Sequence, residues 1–428
     1  MGFVVLVTLS LHDLLQRPLP SRSASYTPPT IARKHVVEDA YRVIPGHGED
    51  ESGALTADVQ PAYTGNTSTQ QGPDLHGGDV RPLWENKPVT HVGFLKIHKA
   101  ASTTTQAIFL RFGWRRKLTF VLPPEYNRFG YPNIISLNES VTKYNTLPAP
   151  PGRPFDILCH HVVYGKKEWD SVLPADSAII GTVREPFSLF KSTLNYFQPG
   201  PIKKIEVYDK DPIRRFLTSP SKYDSSNPRY SFLNNRLALE YGVDPSIITN
   251  RSVDGFNEYL YNVLDKQFTV VILADMFDQG LVMVKRRLNW SLNDIMYAIK
   301  NVRSVKKPDR FKVTDDLKSM YREFAIFDFL LYEFFQNKFN LQVKEEGPSF
   351  PREVTHFQET RKMVEEYCHN KKGGQTTPFK VQESEFNEAF EVSRDDCENM
   401  HKGEIMFTQE IRKEQYGAAT WALGKRQP

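Results

Sequence analysis

Apolar runs of strand length alternate with stretches of helical periodicity from Val89 onward, and this alternation restricts the fold more than any other feature. It is typical of βαβ units, in which successive strands are parallel and the connecting helices cover the sheet. We therefore predict an α/β fold with a central parallel sheet flanked by helices. The runs predicted to be strands cover residues 89–98, 118–123, 155–164, 177–184 and 268–277.

The periodic stretches between and after these runs predict helices over residues 102–112, 186–197, 279–289 and 314–340. Pro186 stands at the start of the second helix, where proline is favoured because its missing N–H group costs nothing there. The last helix is dense in aromatic residues, and a stripe of this kind normally packs into a core. We assign it to the core for that reason.

The segments on either side of this region differ from it in composition. Residues 1–20 contain an apolar stretch much shorter than the roughly 20 residues of a membrane span, which favours a degenerate signal or anchor. Residues 21–88 are rich in Pro, Gly, Ser and Thr and predict a disordered stem or linker. The main domain is predicted over 89–345, and the charged segment 346–428 is predicted to be a peripheral extension.

The net charge and the cysteines disfavour two classes of site. A formal net charge of +4 over 428 residues is too small and too evenly spread to indicate a nucleic-acid partner. The three cysteines, Cys159, Cys368 and Cys397, include no CxxC pair, which argues against a cysteine zinc site. A disulfide between Cys368 and Cys397 and three unpaired buried thiols fit the sequence equally well.

The strand-to-helix junction at residues 96–105, KIHKAASTTT, has the composition of an anion-binding turn. N–H groups at a helix start lack partners within the helix, and the helix dipole adds partial positive charge there. The Walker glycines are absent, and a plain Ser/Thr helix cap beside solvated lysines would give a similar pattern. The candidate anion-binding residues are Lys96, Lys99, Ala101, Ser102, Thr103, Thr104 and Thr105.

A second candidate anion site lies at residues 181–192, GTVREPFSLFKS. Arg184 follows a buried strand, where a guanidinium can bind a phosphate through two N–H groups, and Ser192 lies two turns into the next helix. Ligands of parallel α/β sheets bind beyond the carboxyl ends of the strands, so both motifs are expected at one edge of the sheet. An ion pair with a neighbouring acidic residue is the alternative role for Arg184.

Three motifs in order, FLKIHKAASTTTQAIFLRF, ILCHH and GTVREPFSLFKSTLNYF, resemble the galactose 3-O-sulfotransferase family, which includes the galactosylceramide sulfotransferases. The family pattern is close to LxTHKTASST, ILCHH and RxPxxxFxSxxxY, and Ala100 stands where that pattern has threonine. The resemblance covers roughly residues 88–340. It implies a P-loop-NTPase-like sulfotransferase fold that transfers a sulfuryl group from 3′-phosphoadenosine 5′-phosphosulfate (PAPS) to the 3-hydroxyl of galactose, without a metal.

The same resemblance implies roles for the two anion motifs and a location. Lys99 and residues 102–105 would bind the 5′-phosphosulfate, and Arg184 and Ser192 the 3′-phosphate. The acceptor would be a galactose-terminated glycan or a galactolipid, and the enzyme would lie in the Golgi lumen on a single-pass type II anchor near the N-terminus. Four glycosylation sequons are compatible with such a location; their asparagines are Asn66, Asn138, Asn250 and Asn289.

Two adjacent histidines, His160 and His161, end the third predicted strand. Adjacent strand residues face opposite sides, so one imidazole can enter the cleft while the other packs beneath it. We predict that His161 is the base for the acceptor hydroxyl, with His160 as support or alternate, and that Lys99 stabilises charge on the leaving oxygen. Weaker candidates for these roles are Lys96, His98, Glu168, Asp170 and Asp176.

Two other functions remain open from the sequence. An ATP- or GTP-dependent kinase would need a carboxylate for Mg²⁺ at a strand end, and Asp275 occupies such a position. The missing Walker glycines argue against this class. A catalytically inactive glycan-binding relative is the second alternative, and the completeness of the motifs disfavours it.

Overall fold

The computed structural model describes residues 87–124, 132–298, 311, 314–370 and 377–417. The anchor predicted at 1–20 and nearly all of the stem predicted at 21–88 lie outside the described residues. None of the described helices combines the length and the apolar composition needed to span a bilayer.

Four strands form a central parallel sheet, which confirms the α/β prediction. They are β1 (Val92–Leu95), β2 (Ile157–Leu158), β3 (Ala178–Val183) and β4 (Phe268–Leu273). Their order is β2-β1-β3-β4, and all neighbouring pairs are parallel. Every residue of β1 is buried, as expected for a parallel strand covered on both faces. The strand β2 is shorter than the predicted 155–164 because the backbone beyond it bonds to the loop at 135–136.

Helices flank the sheet and fill its connections. Those before β4 are α1 (Ser102–Arg115), α2 (Lys166–Asp170), α3 (Pro186–Phe197), α4 (Gly200–Glu206), α5 (Pro212–Thr218), α6 (Pro220–Tyr223), α7 (Arg236–Glu240), α8 (Pro245–Thr249), α9 (Val253–Tyr259) and α10 (Asp265–Gln267). Those after β4 are α11 (Phe277–Leu288), α12 (Leu292–Ile295), α13 (Asp315–Phe324), α14 (Ile326–Glu345), α15 (Ser349–His369), α16 (Arg394–His401) and α17 (Glu404–Tyr416). A hairpin of β5 (Phe379–Val381) and β6 (Phe390–Val392) separates α15 from α16. The helices predicted over 102–112, 186–197 and 279–289 are confirmed.

The strand predicted over 118–123 is wrong. This segment contributes only an isolated parallel bridge between Phe120 and Ile157. On its other side, the side-chain amide of Gln415 bonds both the N–H and the carbonyl of Phe120, each at 2.9 Å. A side chain of the C-terminal helix therefore stands where a further strand would pair.

The single helix predicted over 314–340 is two helices, α13 and α14, which meet at Ala325 (φ −108°, ψ 42°). The break has a physical cause in Asn235, whose side-chain oxygen accepts hydrogen bonds from the N–H groups of Phe327 and Asp328 at 2.8 and 3.2 Å. In return, the carboxylate of Asp328 accepts a bond from the N–H of Ala238 at 2.8 Å. These bonds cap α14 and fix the start of α7, which carries part of the candidate site.

The segment predicted as a peripheral extension, 346–428, packs into the core over its described part. The buried cluster around the sheet includes Phe350, Phe357, Phe407 and Ile411. The local sequence pattern does not predict this packing, because the contacts join residues far apart in the chain. The boundary predicted at residue 345 stays a prediction, but the described part of the segment beyond it is not peripheral.

A disulfide joins Cys368 at the end of α15 to Cys397 in α16, with Cα atoms 5.3 Å apart. Cys159 is a buried free thiol. The structure thus decides between the two cysteine arrangements left open by the sequence. It also links α16 covalently to the long helix α15.

Candidate active site

The turn between β1 and α1 has an unusual backbone. Lys99 and Ala101 both adopt left-handed conformations, with φ of 61° and 58°, which non-glycine residues rarely do. The hydroxyl of Ser102 donates to the carbonyl of Ile97 at 2.5 Å, and that of Thr105 donates to the carbonyl of Ala101 at 3.2 Å. Two of the predicted hydroxyl ligands therefore brace the turn.

The remaining predicted residues of this turn lie closer to the surface. Thr103 and Thr104 are half-buried in the first turn of α1, and Ala101 is exposed before it. The Nζ atom of Lys99 lies 3.6 Å from the centroid of the Tyr196 ring, which α3 supplies. Tyr196 was missed as a site residue, although it is the last position of the RxPxxxFxSxxxY pattern.

The structure brings the second anion motif against the first. Arg184 directly follows β3, and its guanidinium donates to the carbonyl of Lys99 at 3.0 Å. A guanidinium has five N–H donors, so this bond leaves donors for a phosphate. Ser192 lies half-buried on α3. Glu185, which precedes α3, accepts hydrogen bonds from the N–H groups of residues 187 and 188. The start of α1 has no such side-chain cap, so it is the better anion site.

Lys96 does not join this site. Its side chain is fully buried, and its Nζ donates to Gln106 at 2.7 Å and to the carboxylate of Glu404 at 2.6 Å. Both partners belong to helices packed under the turn, α1 and α17. The prediction that Lys96 contacts an anionic ligand is therefore not supported by its position, since the charge is used to hold α17 in place.

Two imidazoles stack at the carboxyl edge of the sheet beside the turn. The rings of His98 and His161 are parallel within 13°, with centroids 3.9 Å apart. His161 bonds the carbonyl of Lys96 through Nδ1 at 2.9 Å. Since a carbonyl can only accept, Nδ1 carries the proton and Nε2 keeps a lone pair. Burial, followed by the charges of His98 and Lys96, lowers the pKa of His161 well below its usual range.

His160 lies beneath the site, as strand alternation predicted for one of the two histidines. It is fully buried, and its Nε2 bonds the hydroxyl of Thr408 on α17 at 3.0 Å. Burial, with Lys96 and Arg412 adding to it, lowers the pKa of His160 well below its usual range. A neutral buried imidazole bonded to the C-terminal helix is suited to packing, and we do not place it among reacting groups.

A buried acid–base network, missed from the sequence, holds His98. The carboxylate of Glu240 accepts bonds from the N–H of His98 at 2.9 Å and from its Nδ1 at 2.5 Å. Arg236, one helical turn earlier on α7, donates to the same carboxylate at 2.6 Å. Burial alone would raise the pKa of Glu240, but His98 and Arg236 outweigh it and lower the pKa to about 2. The i,i+4 spacing of Arg236 and Glu240 is visible in the sequence but looks like a solvated helix pair.

The carboxylates considered for other functions lie elsewhere. Asp275 is exposed in a short 3₁₀ turn after β4. Across the residues that the structure describes, no cluster of three or more His, Cys, Asp or Glu side chains could hold a metal ion. Asp176 bonds His91 at 2.8 Å, and Asp170 pairs with Lys166 at 2.5 Å. Glu168 lines a cavity together with Ser140 and Arg236.

Comparison with known proteins places this geometry in context. A family model described as galactose-3-O-sulfotransferase matches residues 56–389. The chain is 29% identical to human galactosylceramide sulfotransferase over 286 residues, covering 66% of this chain and 65% of that protein. It is 29% identical to mouse galactose-3-O-sulfotransferase 3, covering 69% and 68% of the two chains, and 28% identical to human galactose-3-O-sulfotransferase 2, covering 69% and 71%. The chain thus spans about two thirds of the length of these relatives, and slightly less than two thirds of the first, at 65%.

Proposed function

The chain belongs to the galactose-3-O-sulfotransferase family, and we propose that it transfers a sulfuryl group from PAPS to the 3-hydroxyl of galactose in a glycolipid or glycoprotein glycan. The observation that carries this proposal is one juxtaposition. Lys99, Arg184 and the start of α1 form an anion-binding edge, and the imidazoles of His98 and His161 stack beside it. Binding a charged donor and activating a hydroxyl are the two requirements of the reaction.

The donor would lie across the anion edge. We assign the 5′-phosphosulfate to the start of α1, where the N–H groups and the half-buried Thr103 and Thr104 can donate to its oxygens. We assign the 3′-phosphate to Arg184 and Ser192. Lys99 lies between the two, and we assign its ammonium to the bridging oxygen. Its contact with the exposed ring of Tyr196 is a weak attraction that holds the ammonium over the turn.

In the transfer step, the acceptor oxygen, the sulfur atom and the leaving phosphate oxygen lie in line. The acceptor oxygen forms a bond to sulfur while the bond from sulfur to the donor phosphate breaks, and 3′-phosphoadenosine 5′-phosphate leaves. Lys99 stabilises the negative charge that grows on the departing phosphate oxygen. The hydroxyl proton passes to an imidazole, because a sugar hydroxyl is a weak nucleophile unless a base removes its proton.

The geometry favours His98 over His161 as the proton acceptor. In its neutral form each ring has a lone pair on Nε2, because the other nitrogen donates its proton to an oxygen. A proton taken up by His98 would form a cation beside the carboxylate of Glu240, whereas His161 has only a carbonyl as its partner. We therefore assign the proton to His98 and assign to His161 the role of holding that ring by stacking. His161 stays the alternative base.

We also place the protein in the secretory pathway, on the lumenal side of the Golgi membrane and held through its N-terminal region. The disulfide between Cys368 and Cys397 supports this location, because disulfides persist in oxidising compartments. Protection of an epitope-tagged protein from protease in intact vesicles, lost on adding detergent, would test the orientation.

Nucleotide binding separates this proposal from the kinase alternative. We expect 3′-phosphoadenosine 5′-phosphate to raise the melting temperature without Mg²⁺, since the anion site is built from N–H groups and cationic side chains. Stabilisation by ATP that appears only with Mg²⁺ would favour a kinase instead. Donor binding without transfer to any galactoside would indicate an inactive relative.

A further inference from the structure

A cavity of about 280 Å³ lies beside the stacked imidazoles, outside the donor-binding edge. Its walls come from the loop at 137–140, the segment at 163–165 and the chain from Arg236 to the start of α8. Apolar side chains line part of it, and the polar groups among its walls include those of Ser140, Glu168, Arg229, Arg236 and Asp244. Polar groups that converge on a partly apolar hollow are typical of a small-ligand site.

Two of these polar groups have bonding capacity to spare. The hydroxyl of Ser140 is buried and has no hydrogen-bond partner among the residues that the structure describes. The carboxylate of Glu168 forms no salt bridge within the described part of the chain. Gly165 leaves room for both groups at the cavity wall, since a Cβ atom there would lie 2.4 Å from the Glu168 carboxylate and 2.8 Å from the Ser140 hydroxyl. A buried polar group without a partner is costly, and a ligand hydroxyl would satisfy it.

The cavity is connected to the imidazole pair through one wall residue. Arg236 lines the cavity and donates to Glu240, and the same carboxylate oxygen bonds His98 at 2.5 Å. A ligand in the cavity thus lies one buried ion pair away from the reacting edge. Because Arg236 and Glu240 stand between, a group inside the cavity cannot be the one that gives its proton to His98.

We propose that this cavity binds a sugar ring of the acceptor glycan next to the ring that is sulfated. The inference rests on the proposed function and extends it to the acceptor. The carboxylates of Glu168 and Asp244 can accept bonds from ring hydroxyls, and Ser140 and Arg229 can donate to ring oxygens. The mixture of charges disfavours a purely anionic ligand, and the polar walls disfavour a lipid chain.

The test compares two acceptors of different length, methyl β-galactoside and a β-galactosyl disaccharide. Glu168→Gln removes the negative charge of that side chain. Gly165→Ala adds a Cβ atom that displaces the Glu168 carboxylate and the Ser140 hydroxyl without removing either polar group. Each should lower kcat/KM for the disaccharide about tenfold or more and change that for the monosaccharide less than about threefold. Glu359→Gln, an exposed site on α15, is the matched control and should change neither.

Equal losses on the two acceptors, no loss on either, or no preference of the wild type for the disaccharide would overturn the proposal. If the wild type sulfates neither sugar, the proposed function fails, and the cavity is judged by binding alone. Saturation-transfer NMR with 3′-phosphoadenosine 5′-phosphate present should then detect the disaccharide on the wild type and about tenfold weaker binding to Gly165→Ala. Absent or equal binding would overturn the cavity assignment as well.

Discussion

The guanidinium of Arg184 donates a hydrogen bond to the backbone carbonyl of Lys99 across 3.0 Å. Arg184 follows β3 and Lys99 follows β1, and these strands are parallel neighbours in the sheet. The bond therefore joins the two anion motifs that the sequence placed at one edge. It also helps to hold Lys99 in its left-handed conformation, so one residue supports both the shape and the charge of the site.

Replacing Arg184 with alanine should weaken donor binding. A phosphate bound at this position would lose a charge-assisted partner, and we expect the dissociation constant of 3′-phosphoadenosine 5′-phosphate to rise about tenfold to hundredfold. Isothermal titration measures this directly. Arg184→Lys keeps the charge but not the fork of N–H groups and should recover only part of the affinity. An unchanged dissociation constant in Arg184→Ala would assign the residue a purely structural role.

Replacing Lys99 with methionine should affect the reaction more than the binding. Its charge matters most as negative charge grows on the leaving oxygen, so kcat should fall more than the donor KM rises. Steady-state kinetics with varied PAPS separates the two effects. Tyr196→Phe keeps the aromatic ring under the ammonium and is the matched control, with nearly unchanged kcat. A change confined to the KM of Lys99→Met would make this lysine a binding residue only.

Replacing Glu404 with alanine should destabilise the protein by about 3 kcal/mol. The change leaves the fully buried ammonium of Lys96 without its counter-charge, and such losses are large. Chemical denaturation gives the free energy of unfolding. Glu410→Ala on the same helix removes a more exposed partner of Lys402 and should cost at most about 1 kcal/mol. Equal effects of the two variants would contradict the structural role given to α17.

His160 should make a contribution to stability that is lost as the solution becomes mildly acidic. The folded protein keeps this imidazole neutral, whereas the unfolded chain protonates it from about pH 6.5 downward, so its contribution is complete above that pH and lost below it. Asp328 acts in the opposite direction, because burial raises its pKa to about 7 and its contribution is lost as the pH rises toward that value. Removing His160 isolates the histidine effect from that of Asp328.

The measurement is the free energy of unfolding at pH 7.5 and at pH 5.5. The wild type should lose about 1 kcal/mol more than His160→Gln between the two values, since the variant has no imidazole to protonate at this position. Equal losses in both proteins would mean that His160 is protonated in the folded state or does not titrate differently on unfolding.

The sequence could predict the parts of the fold and site that depend on local pattern. The apolar runs of β3 and β4 and the helix start after Pro186 are local features, and each lies where predicted. The polar contacts of Gln415 and Glu404 join helix α17 to Phe120 and Lys96 beside the sheet, and no local pattern reveals them. These contacts explain why the C-terminal segment was misplaced.

The same distinction holds within the active site. Lys99 and Arg184 stand in motifs whose pattern predicts anion binding. The role of Glu240 is visible only in the folded structure, where its carboxylate bonds the ring of His98. The strand pattern distinguishes His160 from His161. It does not show whether His98 or His161 is the better proton acceptor, because that depends on which oxygen each Nδ1 bonds.

Glu240 should matter through the ring that it holds. Glu240→Gln keeps the size of the side chain but removes the charge next to His98, so an imidazolium formed during transfer loses its counter-ion. We expect kcat to fall about tenfold to hundredfold while the donor dissociation constant stays unchanged. The exposed variant Glu359→Gln is the control and should leave kcat unchanged. Asp244 is not used for this purpose, because it lines the proposed acceptor cavity. Loss of donor affinity in Glu240→Gln would point to a distorted turn instead.

The most direct test of the account is the single-turnover rate of labelled sulfate transfer from PAPS to a β-galactoside. The wild type should place the label on the 3-hydroxyl of galactose without added Mg²⁺. His98→Ala should lower the rate about 10²–10⁴-fold, His161→Ala should lower it less, and His160→Gln least of all, with donor binding retained in each. If His161→Ala lowers the rate more than His98→Ala, the assignment of the base is wrong. Absence of transfer by the wild type to any galactoside would contradict the proposed function itself.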